Sequence, residues 1–343
     1  MRIVEASAPG KLYLLGEYAI LYGGEALVMA VDRRVHVSVS LSDAWLISAG
    51  EIDVEHVEIP DHAITSATHL LECDPGLNHR LRFVFSVIDE FRLTQVSALP
   101  ALEISIDSSQ LYASRSGNRR ANKLGLGSSA ALSAVLTLAI SEILNLNLTA
   151  DERFNLAKSA HRKAQGGGSG GDVAASTFGG AISISQDGRQ TATLPSDLEI
   201  LAVATGDGSE TANFIAEIER FEQSQPETFQ ADIDTLIELS HLTTGSISRA
   251  DSFMNLADRY FLALEKLGAD SKVGLVTSEH SRLRALAAEA GAVFKTSGAG
   301  GGDLGLVFAT RSNSDNVKTA LTSAGVQFIP IPLSREGARV ESK

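Results

Sequence analysis

Lys123-Leu124-Gly125-Leu126-Gly127-Ser128-Ser129-Ala130-Ala131-Leu132 decides how this chain is read. A polar segment with Arg115, Arg119, Arg120 and Lys123 enters it, and a run of helix formers from Ala134 to Leu144 leaves it. Two glycines permit a tight turn, and the serines stand where a helix N-cap belongs. The N–H groups of a first helical turn, with the helix dipole behind them, attract an anion. Two readings stand side by side here: a phosphate cradle, or an ordinary capped helix.

Two look-alikes are set aside. Gly125-x-Gly127-x-x-Ala130 formally matches a dinucleotide fingerprint, but no apolar strand precedes it and no acidic residue follows at about twenty positions. No Gly-Lys-Ser/Thr closes it, so it is not a Walker P-loop. Phosphates in such a cradle are held by backbone N–H groups, with Ser128 or Ser129 available to reach a magnesium ion.

Two further glycine-rich stretches accompany it. Gly166-Gly167-Gly168-Ser169-Gly170-Gly171 has the composition of a flexible linker, yet Asp172 and a small-residue helix follow at once. It reads as a loop that brings backbone close to a ligand while Asp172 projects into a site; Asp172 as a simple N-cap is the alternative. Lys295-Thr296-Ser297-Gly298-Ala299-Gly300-Gly301-Gly302-Asp303 lies between two apolar strands, as a second close-approach loop or a plain strand connection. Lys11 follows Pro9-Gly10 among small and apolar residues, which favours an inward role over a solvated one. The cluster Arg115, Arg119, Arg120 and Lys123 either steers anions to the cradle or is a solvated loop.

The bulk numbers frame these motifs. A chain of 343 residues with 44% hydrophobic and 21% charged residues predicts two packed lobes, divided here at 1–190 and 191–343. A net charge of −13 argues against nucleic-acid partners and anionic membrane surfaces, so an anion site must be locally positive. One cysteine, Cys73, excludes an intrachain disulfide and a multi-thiolate metal site. With no signal-peptide pattern at the N-terminus and no apolar run long enough to span a bilayer, a cytoplasmic location is expected.

Hydrophobic periodicity predicts strands at 3–7, 27–41, 102–106, 181–185, 198–204, 293–295, 305–308 and 326–331, with a further hairpin at 46–59. Helices are predicted at 78–91, from the cradle to about 146, from 150 to Gly166, over most of 209–267 with breaks near Pro226 and Gly245, and at 279–290 and 316–323. Leu81, Val84, Phe85, Ile88 and Phe91 form the buried stripe of the first helix. Thr149 and Glu152 form a capping box. The order lacks regular β-α-β alternation, so the class is α+β rather than a doubly wound sheet.

With these stretches in view, the chain resembles the GHMP small-molecule kinases. Three segments carry the resemblance, in the family's order: Ala8-Pro9-Gly10-Lys11-Leu12-Tyr13-Leu14-Leu15-Gly16-Glu17-Tyr18, then Gly125 to Ala130, then Lys295 to Asp303. Within the family, Gly16-Glu17-Tyr18 and the segment from Ala160-His161 through Gly166 to Ser169-Gly170-Gly171-Asp172 are most similar to the phosphomevalonate kinases. Mevalonate kinases carry a metal-binding Glu on the helix before the catalytic Asp; the matching region here, His161 to Gln165, has no carboxylate.

The resemblance implies ATP-dependent phosphoryl transfer to phosphomevalonate, in the mevalonate route to isoprenoids, with magnesium as cofactor. Mevalonate or another small-molecule acceptor is the alternative, and a catalytically inactive binding protein is the alternative from a different class. A homodimer is possible within the resemblance. It implies a two-lobe fold, an N-terminal ribosomal-protein-S5-like lobe and a C-terminal ferredoxin-like lobe with the active site between them. It assigns Lys11 and Asp172 to catalysis, and Lys123, Gly125, Leu126, Gly127, Ser128, Ser129 and Ala130 to ATP. Ser128 and Ser129 also go to the metal. Lys11, Tyr18, Ser169, Gly170, Asp172, Ser297, Gly298, Ala299 and Gly300 go to the acceptor.

Overall fold

The computed structural model describes residues 2–60, 75–96, 98–113, 123–206, 211–302 and 304–341. Cys73, Arg115, Arg119, Arg120 and Asp303 lie outside the described residues. In chain order the elements are β1 (Ile3–Leu15), β2 (Ala26–Leu41), β3 (Trp45–Ala49), β4 (Val54–Ile59), α1 (Pro75–Thr94), β5 (Leu102–Asp107), α2 (Ser128–Ile143), α3 (Ala150–Gln165), α4 (Gly171–Phe178), β6 (Ala181–Ser185), β7 (Gly188–Ala192) and β8 (Leu198–Ala204). There follow α5 (Thr211–Ser224), α6 (Pro226–His241), α7 (Thr243–Ser246), α8 (Ala250–Ser271), α9 (Ser278–Glu289), β9 (Val293–Thr296), β10 (Leu304–Thr310), α10 (Ser314–Ser323), β11 (Phe328–Ile329) and β12 (Arg339–Val340).

Two compact units share these elements. The first comprises Met1–Lys11, Ala30–Gly180 and Leu333–Lys343; the second comprises Leu12–Met29 and Ala181–Pro332. The chain thus passes between units inside β1 and inside β2, and the expected 190/191 division falls in β7 of the second unit.

In the first unit the strand order is β12-β1-β2-β5-β3-β4, with β3 parallel to β5 and the β2–β5 and β3–β4 pairs antiparallel. Val35, Val37 and Val39 are buried while His36 and Ser38 are half-buried, as period-2 alternation requires. Residues 26–31 are buried throughout, so this end of β2 is covered on both faces. Helix α1 buries the predicted stripe of Leu81, Val84, Phe85, Ile88 and Phe91. Helix α2 is buried on nearly every side, and Ala130, Ala157 and Val173 lock α2, α3 and α4 together through small contacts. The capping box forms: Thr149 Oγ accepts the Glu152 N–H at 3.2 Å, and Glu152 accepts the Thr149 N–H at 2.7 Å. Gly166, at φ 84°, ends the same helix in the left-handed region that glycine tolerates.

The second unit contains a four-stranded antiparallel sheet of order β11-β8-β10-β9. Its chain order, β8, helices, β9, β10, α10, β11, is the ferredoxin-like β-α-β-β-α-β arrangement. Leu201, Val203, Phe294 and Val307 of the sheet meet Phe261, Leu283, Val317 and Leu321 of the helices in one core. Residues Ala26–Met29 pair with β6, which pairs with β7.

Three expectations are corrected. The first strand does not stop at Ser7 but runs through Pro9 and Gly10 to Leu15, because Leu12, Leu14 and Leu15 are all fully buried. The last predicted strand shrinks to Phe328–Ile329, and the two short strands β7 and β12 carry too little periodicity to announce themselves. The N-cap of α2 is Gly127 at φ 75°, not a serine; Ser128 is the first helical residue, and the glycine N-cap supplies no side-chain cap. Among the described residues no helix is long and apolar enough to cross a membrane.

Candidate active site

In the first unit β1 delivers Lys11 to the loop before α2. The Lys11 N–H donates to the Leu126 carbonyl at 2.8 Å, and Lys11 Nζ lies 3.4 Å from the Gly125 carbonyl oxygen. Gly10 permits this approach: a Cβ there would stand 2.7 Å from the Leu126 oxygen. Gly127 is needed for a second reason, because its Cβ would stand 2.7 Å from Lys11 Cε and 2.9 Å from Cγ. The ammonium is therefore held, with only 8% of the residue exposed, beside a helix N-terminus whose N-cap is a glycine without a side-chain cap. Cation and helix end together make a local positive field in an acidic protein.

The serines of this turn are positioned from behind. Burial raises the Tyr112 phenol above its ordinary value, with Ser128 and Ser108 near enough to oppose the shift. The Ser133 hydroxyl donates to the Ser129 carbonyl at 3.0 Å. On α3, His161 brings Nε2 to 3.1 Å from Ser129 Oγ and to 3.7 Å from Asp172 Oδ2. One imidazole thus faces both residues. Its ring stacks on Phe83 at 5.2 Å, and the Arg82 guanidinium lies over the Phe83 ring at 4.8 Å. Burial pulls the His161 pKa below its ordinary value; Asp172 opposes this, while Lys11 and Arg82 add to it. His161 is neutral at neutral pH and can exchange one hydrogen bond with Ser129.

Asp172 sits in the first turn of α4, whose N-cap is Gly170 at φ 83°. Its Oδ1 accepts the Val173 N–H at 2.9 Å, and Ser169 Oγ accepts the Gly171 N–H at 3.2 Å. Asp172 is not the N-cap. The stem of Lys158 lies along Gly170, where a Cβ would come within 2.9 Å of three of its carbons. Lys123 is exposed and bridges to Tyr112 through the backbone. The structure thus brings Lys11, Gly125–Ser129 and, through His161, Asp172 to one place. It leaves Lys123 at the entry of the loop.

In the second unit the glycine loop after β9 is tied to residues 13–18. Ser297 Oγ accepts the Tyr13 N–H at 3.1 Å and donates to the Tyr13 carbonyl at 3.0 Å. The Tyr18 hydroxyl donates to the Ala299 carbonyl at 2.6 Å, and burial raises its pKa well above the ordinary value. The Gly298 N–H donates to Glu17 Oε1 at 3.3 Å, and the Gly301 N–H donates to the Leu275 carbonyl at 3.0 Å. Gly298, Gly300, Gly301 and Gly302 all have positive φ. Lys295 and Glu17 form an ion pair with side-chain exposures of 0% and 3%. Ser297 and Tyr18, read from sequence as acceptor contacts, thus also hold their own loop.

Sequence reasoning missed His161 and Glu17 as members of these clusters. His161 stood in a quoted motif but is separated from Ser129 by a helix and a loop. The signal for Glu17 was its place between Gly16 and Tyr18; its partner lies 278 residues away.

Among the described residues no group of three or more His, Cys, Asp or Glu could hold a metal ion by itself. Oxygen donors are nonetheless present where His161 meets Ser129 and Asp172. A hydroxyl and a carboxylate, completed by phosphate oxygens and water, suit magnesium, which rarely takes an all-protein shell.

Residues 83–180 match the family described as "GHMP kinases N terminal domain". A phosphomevalonate kinase of Streptomyces sp. is 28% identical over 98% of each chain, and a mevalonate kinase of Pyrococcus abyssi is 27% identical over 99% of this chain and 98% of its own. The crystal structure of Streptococcus pneumoniae phosphomevalonate kinase, in complex with phosphomevalonate and AMPPNP, superposes with a TM-score of 0.74. It covers 99% of this chain and all of its own at 19% identity, and so shares the fold.

Proposed function

We propose that the chain is a kinase of the GHMP family that transfers the γ-phosphoryl group of ATP to phosphomevalonate; the matched N-terminal domain at 83–180, the phosphomevalonate kinase relative and the shared fold support this reading. The products are diphosphomevalonate and ADP. The observation that carries the reading is the pairing of Lys11 with the α2 N-terminus, where a backbone cradle and a buried cation are ready for phosphate.

The amides of Gly125 to Ala130 hold the nucleotide phosphates, and Lys123 stands at the entry to that loop. Ser128 and Ser129, with Asp172, would hold a magnesium ion. When bound, magnesium neutralises charge on the phosphoryl oxygens. Lys11 neutralises the attacking oxygen and the charge that develops in transfer. His161, neutral and buried, orients the Ser129 hydroxyl and keeps Asp172 within reach.

Asp172 has a limited task as a base. A phosphate monoester has its second pKa near about 6, so the acceptor is largely dianionic at neutral pH. Its oxygen needs little proton removal, and Asp172 serves mainly to place Lys11 and the metal. The family resemblance assigns Ser169, Gly170, Tyr18, Ser297, Gly298, Ala299 and Gly300 to the acceptor.

The acceptor assignment is supported by Gly16-Glu17-Tyr18 and by the Ala160–Asp172 segment, whose stretch from His161 to Gln165 lacks the carboxylate that mevalonate kinases carry there. The second reading is mevalonate kinase, favoured by the Pyrococcus relative at nearly equal identity. The test is direct. The protein is incubated with ATP and magnesium and with either mevalonate or phosphomevalonate, and ADP release is followed. Turnover of phosphomevalonate alone is expected; preference for mevalonate overturns the acceptor assignment, and no ADP with any acceptor overturns the kinase assignment.

A further inference from the structure

The Lys295–Glu17 pair lies inside the second unit, with both side chains sealed from solvent. Stability alone does not call for it. Desolvating two charges offsets most of their attraction, and a well-packed apolar pair of similar volume serves a core as well. Its distinctive property is direction. Lys295 Nζ donates to Glu17 Oε1 and to the Thr296 carbonyl, and Glu17 Oε1 also takes the Gly298 N–H at 3.3 Å. Among the described residues Glu17 Oε2 is buried without a hydrogen-bond partner, so Lys295 and Gly298 orient the carboxylate through Oε1.

The backbone beside Glu17 is strained. Tyr18 sits at φ 62°, ψ −51°, and the Ala19 N–H donates to the Glu17 carbonyl at 2.7 Å. This is a γ-turn of the rare positive-φ form. The same Glu17 carbonyl accepts the Tyr260 hydroxyl at 2.8 Å. The other segment has the opposite difficulty. Four glycines of positive φ between 298 and 302 give it many accessible conformations. A segment that would relax is therefore joined to a segment that would wander, through Glu17–Lys295, Glu17–Gly298 and Tyr18–Ala299.

We propose that the Lys295–Glu17 pair is a positioning latch that holds the Tyr18 turn and the 298–302 loop in a single geometry and thereby sets acceptor affinity. The consequence for the acceptor rests on the kinase reading above; the latch does not.

The test uses the full chain with Glu17→Gln and Lys295→Met combined, which removes both charges at similar volume. Hydrogen exchange followed by mass spectrometry reads peptides covering 13–20 and 296–302. Exchange there is expected to rise about tenfold or more, with α8 and α9 of the same unit unchanged. The acceptor KM is expected to rise about tenfold while kcat and AMPPNP affinity stay within about twofold. Unchanged exchange overturns the latch. Faster exchange with an unchanged KM overturns its role in acceptor affinity. If the wild-type protein turns over neither acceptor, the kinase reading fails and the exchange measurement still decides the latch. Tyr18→Phe, which cuts only the contact to Ala299, keeps the test open should the double variant not fold. It is expected to speed exchange of 296–302 by about threefold, and no change there counts against the latch.

Discussion

The loop at 125–129 and the loop at 296–302 are both glycine-rich, and they solve opposite problems. The first ends in a helix whose N-cap is Gly127, which offers no side-chain cap, with Lys11 laid across it. The second has its polar groups tied to named partners: Ser297 to Tyr13, Gly298 to Glu17, Ala299 to Tyr18 and Gly301 to Leu275. Glycine serves the first loop by making room for a reactive side chain. It serves the second by making backbone conformations possible, which side chains then restrict. An anion cradle needs donors left for the ligand, whereas a shaped wall needs its own donors satisfied.

This contrast predicts that damage to the first loop appears in rate and damage to the second in stability. The largest effect is expected for Lys11→Met, with kcat reduced about a thousandfold at unchanged thermal stability. Asp172→Asn, assayed beside it at pH 8, is expected to lose less; a greater loss for Asp172 would make that residue the chemical base and reverse the assigned roles. Gly300→Ala comes next. Its Cβ would stand 2.5 Å from the Leu275 carbonyl oxygen, which is backbone and cannot step aside, and its φ of +92° adds strain. A loss of about 3 kcal/mol in urea unfolding is expected.

Two buried histidines give the third test. His280, in the capping box of α9, accepts the Thr277 N–H on Nδ1 at 3.1 Å, and its Nε2 is buried without a partner. Burial lowers its pKa from 6.5 to about 4. The unfolded chain then binds the proton more readily than the folded one. The contribution is fully present above pH 6.5 and is lost as pH falls through about 4. At pH 5 the loss is about 2 kcal/mol. His280→Gln retains a capping-box side chain and removes the titration, so its stability between pH 7 and pH 5 is expected to fall less steeply than that of the wild type. A slope equal to wild type would assign the acid sensitivity to other groups, His161 among them.

The smallest expected effect is Gly127→Ala. The nearest atoms to the new methyl belong to the Lys11 stem, which can move, so stability falls by about 1 kcal/mol, from the positive φ. The displaced ammonium costs about tenfold in kcat. A stability loss as large as that of Gly300→Ala, with the rate intact, would erase the distinction between the loops.

Local features were legible before any coordinates. The Thr149–Glu152 box, the stop at Gly166 and the stripe from Leu81 to Phe91 each depend on neighbours within a few residues. The alternation of Val35, Val37 and Val39 depends on one sheet face. Where two effects competed, the reading slipped. The serines at 128 and 129 are good caps by composition, but Gly127 takes the cap because the turn over Lys11 needs positive φ. Pro9-Gly10 looked like a strand end, and β1 instead passes through it because the residues beyond are buried.

By itself, then, the sequence determined most of the strands and helices, where glycine loops interrupt them, and which three motifs carry the family resemblance. Those properties rest on short-range sterics and on periodic burial. Only the tertiary structure decided that β1 and β2 are each divided between two units. It also decided that His161 faces both Ser129 and Asp172, and that Lys295 meets Glu17 in the interior. These pairings join residues from 11 to 278 positions apart. No local pattern specifies them, since a buried charge or imidazole finds its partner only once the elements that carry it have packed.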